Sequence, residues 1–156
     1  MPHIHEKIDF CAEAFIVHKD KVLLRLHDKY KIWFSVGGHI ELDEDPVQAV
    51  IREAKEEVGL DIKVSGEISR ENENEIYKYR EIFVPKHLGR HSVTDTHEHV
   101  VFVYYATSDT DKIEDSKSDH ERSPSRWVSK EELSTMDLLP NIRFYAEEAL
   151  KELGKK

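Results

Sequence analysis

Residues 37–60 read GGHIELDEDPVQAVIREAKEEVGL, and the fold turns on how this stretch is read. Asp43 and Asp45 are both candidate N-caps, because a short carboxylate accepts from the orphan amides of a first helical turn. Pro46 stands where a helix tolerates proline best. Val47, Val50, Ile51, Ala54 and Val58 recur at helical spacing and predict a core-facing stripe. Gly59 supplies a left-handed end. The pattern predicts a helix over 46–58. Glu53, Glu56 and Glu57 stand at i, i+3 and i+4, on adjacent turns of the other face. Like charges so spaced repel. Either solvent screens them on a surface face, or a hard cation such as Mg²⁺ or Mn²⁺ gathers their oxygens.

Upstream of this stretch, residues 9–17 and 21–26 are apolar β-prone runs joined at His18-Lys19-Asp20, which predicts a hairpin. Residues 31–36 predict a short strand leading into Gly37-Gly38. Downstream, 61–68 reads as a strand weakened at Gly66. A further strand is expected over 76–84, followed by a polar, histidine-rich loop up to His99. Residues 100–106, VVFVYYA, read as a buried strand. A polar loop over 108–125 precedes a short strand at 126–128. Ser129 and Glu132 then form a capping box, and 141–153 reads as a closing amphipathic helix. No repeat or linker interrupts the chain, so a single domain over 1–156 is expected.

The chain has 156 residues and a net charge of −9, with 38% hydrophobic and 35% charged residues. That balance suits a well-solvated globular domain and argues against binding a nucleic-acid backbone, which calls for a basic patch. No apolar run is long enough to cross a bilayer. The first ten residues lack a basic-then-apolar signal pattern, so a cytoplasmic location is expected. Cys11 is the single cysteine and reads as a small buried hydrophobe. An acidic protein meets an anionic ligand best when bound cations supply the positive field.

The spacing around the helix carries a resemblance. From Gly38 the chain reads glycine, five residues, Glu44, seven residues, Arg52-Glu53, Ala54, Lys55, Glu56-Glu57, Val58, Gly59, Leu60. This resembles the Nudix box, GX5EX7REUXEEXGU with U aliphatic, and every fixed position is filled. Seven fixed residues at roughly one in twenty each coincide by chance on the order of once in a billion placements. Upstream, many members have Pro-Gly-Gly where this chain has Val36-Gly37-Gly38. Residues 126–133, RWVSKEEL, resemble the strand and helix that follow the active-site loop in many members.

The resemblance implies an α/β/α sandwich around a mixed sheet. It also implies a Mg²⁺- or Mn²⁺-dependent hydrolase that breaks the pyrophosphate bond of a nucleoside diphosphate linked to another moiety. Such a substrate is an ordinary or oxidised nucleoside triphosphate, a nucleotide sugar or a dinucleoside polyphosphate. The alternative is a non-catalytic nucleotide sensor or interaction module, a loss that usually erodes the box glutamates. Mapped onto this chain, Glu53, Glu56 and Glu57 are the implied metal ligands, and one of them also serves as base. Gly38 either offers its carbonyl to the ion or merely avoids a clash. Arg52 contacts phosphate or, more in keeping with its place, orients a carboxylate. Glu44 is expected to support the loop and Glu41 to ligate or stay solvated.

Glu121, six residues before Trp127, is the candidate distal ligand, with Glu98 as runner-up. His87, His91, His97 and His99 are too irregularly spaced to suggest zinc and are expected at a phosphate mouth or in solvent. Trp33, Phe34, Tyr77, Tyr79 and Tyr104 are candidates for stacking on a base. Glu75 stands where the ADP-ribose hydrolases of the family have a proline, and Tyr77 is similar in place to a tyrosine of its dinucleoside polyphosphate hydrolases. Dimers are common in the family, so a homodimer is an expected assembly.

Overall fold

The longest apolar runs become the spine of a mixed sheet. The computed structural model describes residues 7–27, 30–115 and 124–155. In chain order the strands and first helix are β1 (Ile8–His18), β2 (Lys21–His27), β3 (Ile32–Phe34), β4 (Val36–His39), α1 (Pro46–Val58) and β5 (Ile62–Ser65). There follow β6 (His87–Thr94), β7 (His97–Ser108), β8 (Ser125–Ser129), α2 (Lys130–Thr135) and α3 (Pro140–Leu153). Among these residues no helix is long and apolar enough to cross a membrane.

β1 and β7 run parallel through ten paired positions, from Ile8↔Glu98 to Val17↔Thr107, and every other strand hangs on this pair or on β2. The free edge of β1 is shared: β4 pairs antiparallel over Cys11–Ala14, and β2 takes over at Val17 and His18. β7 divides its outer edge in the same way between β6 and β5.

Alternation along β1 separates two cores, because successive side chains leave opposite faces of a strand. Ala12, Ala14 and Ile16 pack with Val50, Ala54 and Val58 of α1. Cys11, Phe15 and Val17 pack with Leu133 of α2 and with Ile142, Ala146 and Ala149 of α3. The sandwich is therefore α/β/α, as the order of elements predicted.

Two strand expectations need correction. The run 31–36 is two strands, because at Ser35 the chain changes partner from β2 to β1. The expected strand over 76–84 does not form. Its residues turn around an isolated Asn74–Tyr79 bridge and leave Ile76 91% and Tyr77 71% exposed. The strand lies later, at β6, inside what read as a histidine loop, and the short Asp95-Thr96 turn folds it back onto β7. A strand needs an edge to pair with, and the segment that could reach β7 wins over the more apolar one.

His87 of β6 ties the sheet to α3. Glu148 Oε1 lies 2.7 Å from His87 Nε2 and accepts from the Tyr105 hydroxyl at 2.9 Å. The His87 hydrogen bond, outweighing burial and joined by the Tyr105 bond, holds the Glu148 carboxyl below its ordinary 4.5. A carboxylate depressed on folding stabilises fully above its unfolded pKa and loses that contribution as pH falls through the folded value. Glu148→Gln is accordingly expected to flatten the acid limb of a Tm-versus-pH curve below about pH 5. An acid limb identical to that of the parent protein would refute the assignment.

Candidate active site

α1 is held at both ends as its sequence predicts. Asp45, and not Asp43, is the N-cap: its Oδ1 accepts from Gln48 N at 2.9 Å, and Gln48 Oε1 accepts from Asp45 N at 2.9 Å. Gly59, at φ 70°, closes the C-terminus in the left-handed region.

The helix is rotated relative to the expected stripe. The buried arc runs through Ala49, Val50, Glu53, Ala54, Glu57 and Val58, while Ile51 is 43% exposed. Glu53 and Glu57 therefore do not lie on a solvated outer face. They stand where α1 passes under β4, 8% and 6% exposed. Of the three glutamates only Glu56 is exposed, with 61% of its side chain accessible.

Buried carboxylates need compensation, and each finds an arginine. Glu57 takes the amide of Gly37 on Oε1 at 3.1 Å and pairs through Oε2 with Arg25 of β2, itself 3% exposed. Arg52 binds Glu44 through Nε and Nη2, the latter at 2.7 Å, and Glu53 through Nη1 at 2.9 Å. The same Nη1 reaches Glu56 at 3.1 Å, and Nη2 donates to the His39 carbonyl at 3.0 Å. One guanidinium thus joins the loop, the glycine turn and the acidic ridge. The Glu44 hydrogen bonds, against burial and with the charge of Glu53, raise the Arg52 pKa still further. Burial would raise the Glu44 carboxyl, but the bonds from Arg52 and from the Glu41 amide hold it below the usual carboxylate range.

The two glycines do different work. A Cβ at Gly38 would lie 2.4 Å from Glu53 Oε1, so the missing side chain leaves room for that carboxylate. A Cβ at Gly37 would lie 2.3 Å from the Ala12 carbonyl oxygen and 2.6 Å from Glu13 Cα, so that glycine permits β4 to lie against β1. Beside this turn, Glu13 accepts from the Ser35 hydroxyl at 2.9 Å, and burial, partly opposed by that bond, pushes its carboxyl up. A cleft of about 290 Å³ opens next to the loop, lined by Phe10, His39, Ile40, Glu41 and Phe102.

Arg52 thus joins Glu53, Glu56, Glu44 and Glu41, Gly38 lies against Glu53, and Glu57 is held separately by Arg25 and the Gly37 amide. Glu121 lies outside the described residues. Glu98 is gripped by Arg90 at 2.5 and 3.1 Å. Tyr104 is fully buried and stacks on nothing in solvent, Trp33 and Phe34 pack against the α3 core, and Tyr77 and Tyr79 are exposed. Arg25 was missed, because an arginine in the apolar run KVLLRL reads as an outward-facing strand residue. Of the four histidines His91 is exposed, as expected, whereas His87 packs on α3, and His97 and His99 enter a cluster with His39 and Asp9.

A mixed sheet between helices, with an acidic helix locked under a glycine turn, defines a class of hydrolases acting on phosphoanhydrides. The model of the family described as the NUDIX domain matches residues 12–153. A solved NUDIX-family hydrolase from Clostridium perfringens is 37% identical, with TM-score 0.85 over 93% of this chain and 97% of its own. A MutT NUDIX hydrolase from Burkholderia pseudomallei, 20% identical, has TM-score 0.64 over 95% and 99%. A MutT protein from Methanosarcina mazei Go1, also 20% identical, has TM-score 0.65 over 96% and 97%, and these two share the fold. No curated protein matches the chain. The chain belongs to the Nudix family and is a Nudix pyrophosphohydrolase. Enzymes of this family act on nucleoside diphosphate derivatives and generally use divalent metal ions.

Proposed function

We propose that this enzyme uses Mg²⁺ or Mn²⁺ to cleave a nucleoside diphosphate linked to another moiety. Candidate substrates are ordinary or oxidised nucleoside triphosphates, nucleotide sugars and dinucleoside polyphosphates. The observation that carries the reading is that Arg52 ties Glu53 and Glu56 to the glycine turn through the His39 carbonyl, while Glu57 docks on the same turn through the Gly37 amide. The donor set fits a hard cation, since it consists of carboxylates and a backbone carbonyl. Glu53, Glu56 and Glu57 would hold the ion with the Gly38 carbonyl, and Glu121 is proposed to complete the set.

When bound, the ion supplies charge neutralisation at the phosphoryl oxygens and a more acidic water. The residues of the chain do the rest. Arg52 fixes the orientation of Glu53 and Glu56, as supporting partners of ligands do. Arg25 and the Gly37 amide fix Glu57. One of the three carboxylates accepts the proton of the attacking water.

The test is a panel of the three substrate classes incubated with Mg²⁺ or Mn²⁺, following release of phosphate or pyrophosphate. Turnover that chelation abolishes and either ion restores is the expected result. Tight nucleotide binding without turnover across the panel would instead mark a sensor.

A further inference from the structure

A second group of ligating side chains sits on the face of the sheet opposite α1, at the end where β1, β4 and β7 meet. β1 contributes Asp9 and Cys11, two apart and so on one face. β4 contributes His39, paired directly with Cys11, and β7 contributes His97 and His99, the latter paired with Asp9. The ligand atoms of Cys11, His39 and His99 all lie within 4.8 Å of one another, and so do those of Asp9, His97 and His99. The triads share His99. Asp9 Oδ2 is 3.3 Å from His39 Nε2 and 3.2 Å from His97 Nε2, which draws the two together. Asp9, Cys11 and His97 are buried.

The donor chemistry differs from that of the acidic helix. Imidazole nitrogens with a thiol and one carboxylate suit a borderline ion such as Zn²⁺, whereas an all-oxygen set suits Mg²⁺. An Asp9 ion pair accounts for His39 and His97. A metal accounts for those two and also for the approach of the Cys11 thiol and the His99 ring to His39, and of His99 to Asp9 and His97. Tetrahedral ligands at zinc bond lengths stand roughly 3.3–3.8 Å apart, so adjustments on the order of 1 Å would close the set.

We propose that this end of the sheet is a second metal site, which binds one divalent transition ion of the Zn²⁺ class through His99 and three of Asp9, Cys11, His39 and His97. The site is independent of whether the α1 glutamates hold metal. It is linked to them through His39, whose carbonyl accepts from Arg52 Nη2 at 3.0 Å. An ion on the His39 ring therefore anchors the strand end from which the box loop departs.

The probe is Co²⁺ followed by Zn²⁺, added to the metal-stripped full chain in excess Mg²⁺ so that hard-ion sites are filled. One equivalent of Co²⁺ is expected to give tetrahedral visible bands that one equivalent of Zn²⁺ abolishes. At a hundredfold excess over its Kd, Zn²⁺ is expected to raise Tm by about 5–10 °C. His99→Gln should weaken binding at least about 100-fold while leaving the far-ultraviolet dichroism unchanged, since it removes the ligand common to both triads. If His99→Gln does not fold, the double variant His39→Asn with His97→Asn serves the same purpose, since any set of three from the four partners includes one of these, and Glu56→Gln should retain full binding. Weak binding of several equivalents, displacement by Mg²⁺, or unchanged affinity in both histidine variants would overturn the proposal.

Discussion

Glu57→Gln is expected to lower kcat/KM by about 10³-fold in Mg²⁺, an effect of the size seen when one preorganised electrostatic group is lost from a transition state. Glutamine keeps the volume of the side chain, and its carbonyl can still accept from the Gly37 amide, which lies 3.1 Å from Oε1 in the parent. What it loses is charge. A neutral amide is a poor ligand for a hard cation beside two carboxylates, and it no longer balances the buried guanidinium of Arg25. Removing one partner of a buried pair costs about 3–5 kcal/mol, and the retained hydrogen bonding brings the expectation to the lower end. At that cost Tm should fall by about 6–12 °C. Steady-state kinetics and a thermal melt on the same sample separate the two effects. Turnover within threefold of the parent would remove Glu57 from the chemistry.

Adjacent glycines are expected to fail in different ways. At Gly37 the added methyl meets the backbone of β1, at 2.3 Å from the Ala12 oxygen. Neither strand can move without breaking the pairing that holds β4, so Gly37→Ala should cost about 3 kcal/mol, the upper end for overpacking, with activity lost alongside the fold. At Gly38 the methyl meets only the end of a flexible side chain, Glu53 Oε1 at 2.4 Å. The carboxylate can rotate away, so Gly38→Ala should change Tm by no more than a few degrees. It should lower kcat about 10–100-fold, because Glu53 leaves the position in which Arg52 holds it. Melts and kinetics of the two variants, measured side by side, check this. Equal losses of stability would contradict the distinction.

The elements legible in the sequence were those whose signals are local. The ends of α1 follow from Asp45, Pro46 and Gly59, the β1–β2 hairpin from two apolar runs and a polar joint, and the cap of α2 from Ser129 and Glu132. The family resemblance rested on spacing along a single helix and its loop, which is also local. Expectations failed wherever the outcome depended on a distant partner. Residues 76–84 have the composition of a strand but no edge to join, whereas the more polar 87–94 has one. Ile51 fits a helical stripe, but packing under β4 turned the helix until Glu53 and Glu57 took the buried arc. Arg25 bears no local mark of its role, which exists only because α1 delivers Glu57 to it.

The amino-acid order alone determined that an acidic helix follows a glycine turn, because helix caps and periodicity act within a few residues of one another. Only the folded chain decided which carboxylates are buried, which arginine each one meets, and that Asp9, Cys11, His39, His97 and His99 share one end of the sheet. Those outcomes depend on the register between β1, β4 and β7. Register is set by the burial of whole faces, which no short stretch of the chain encodes.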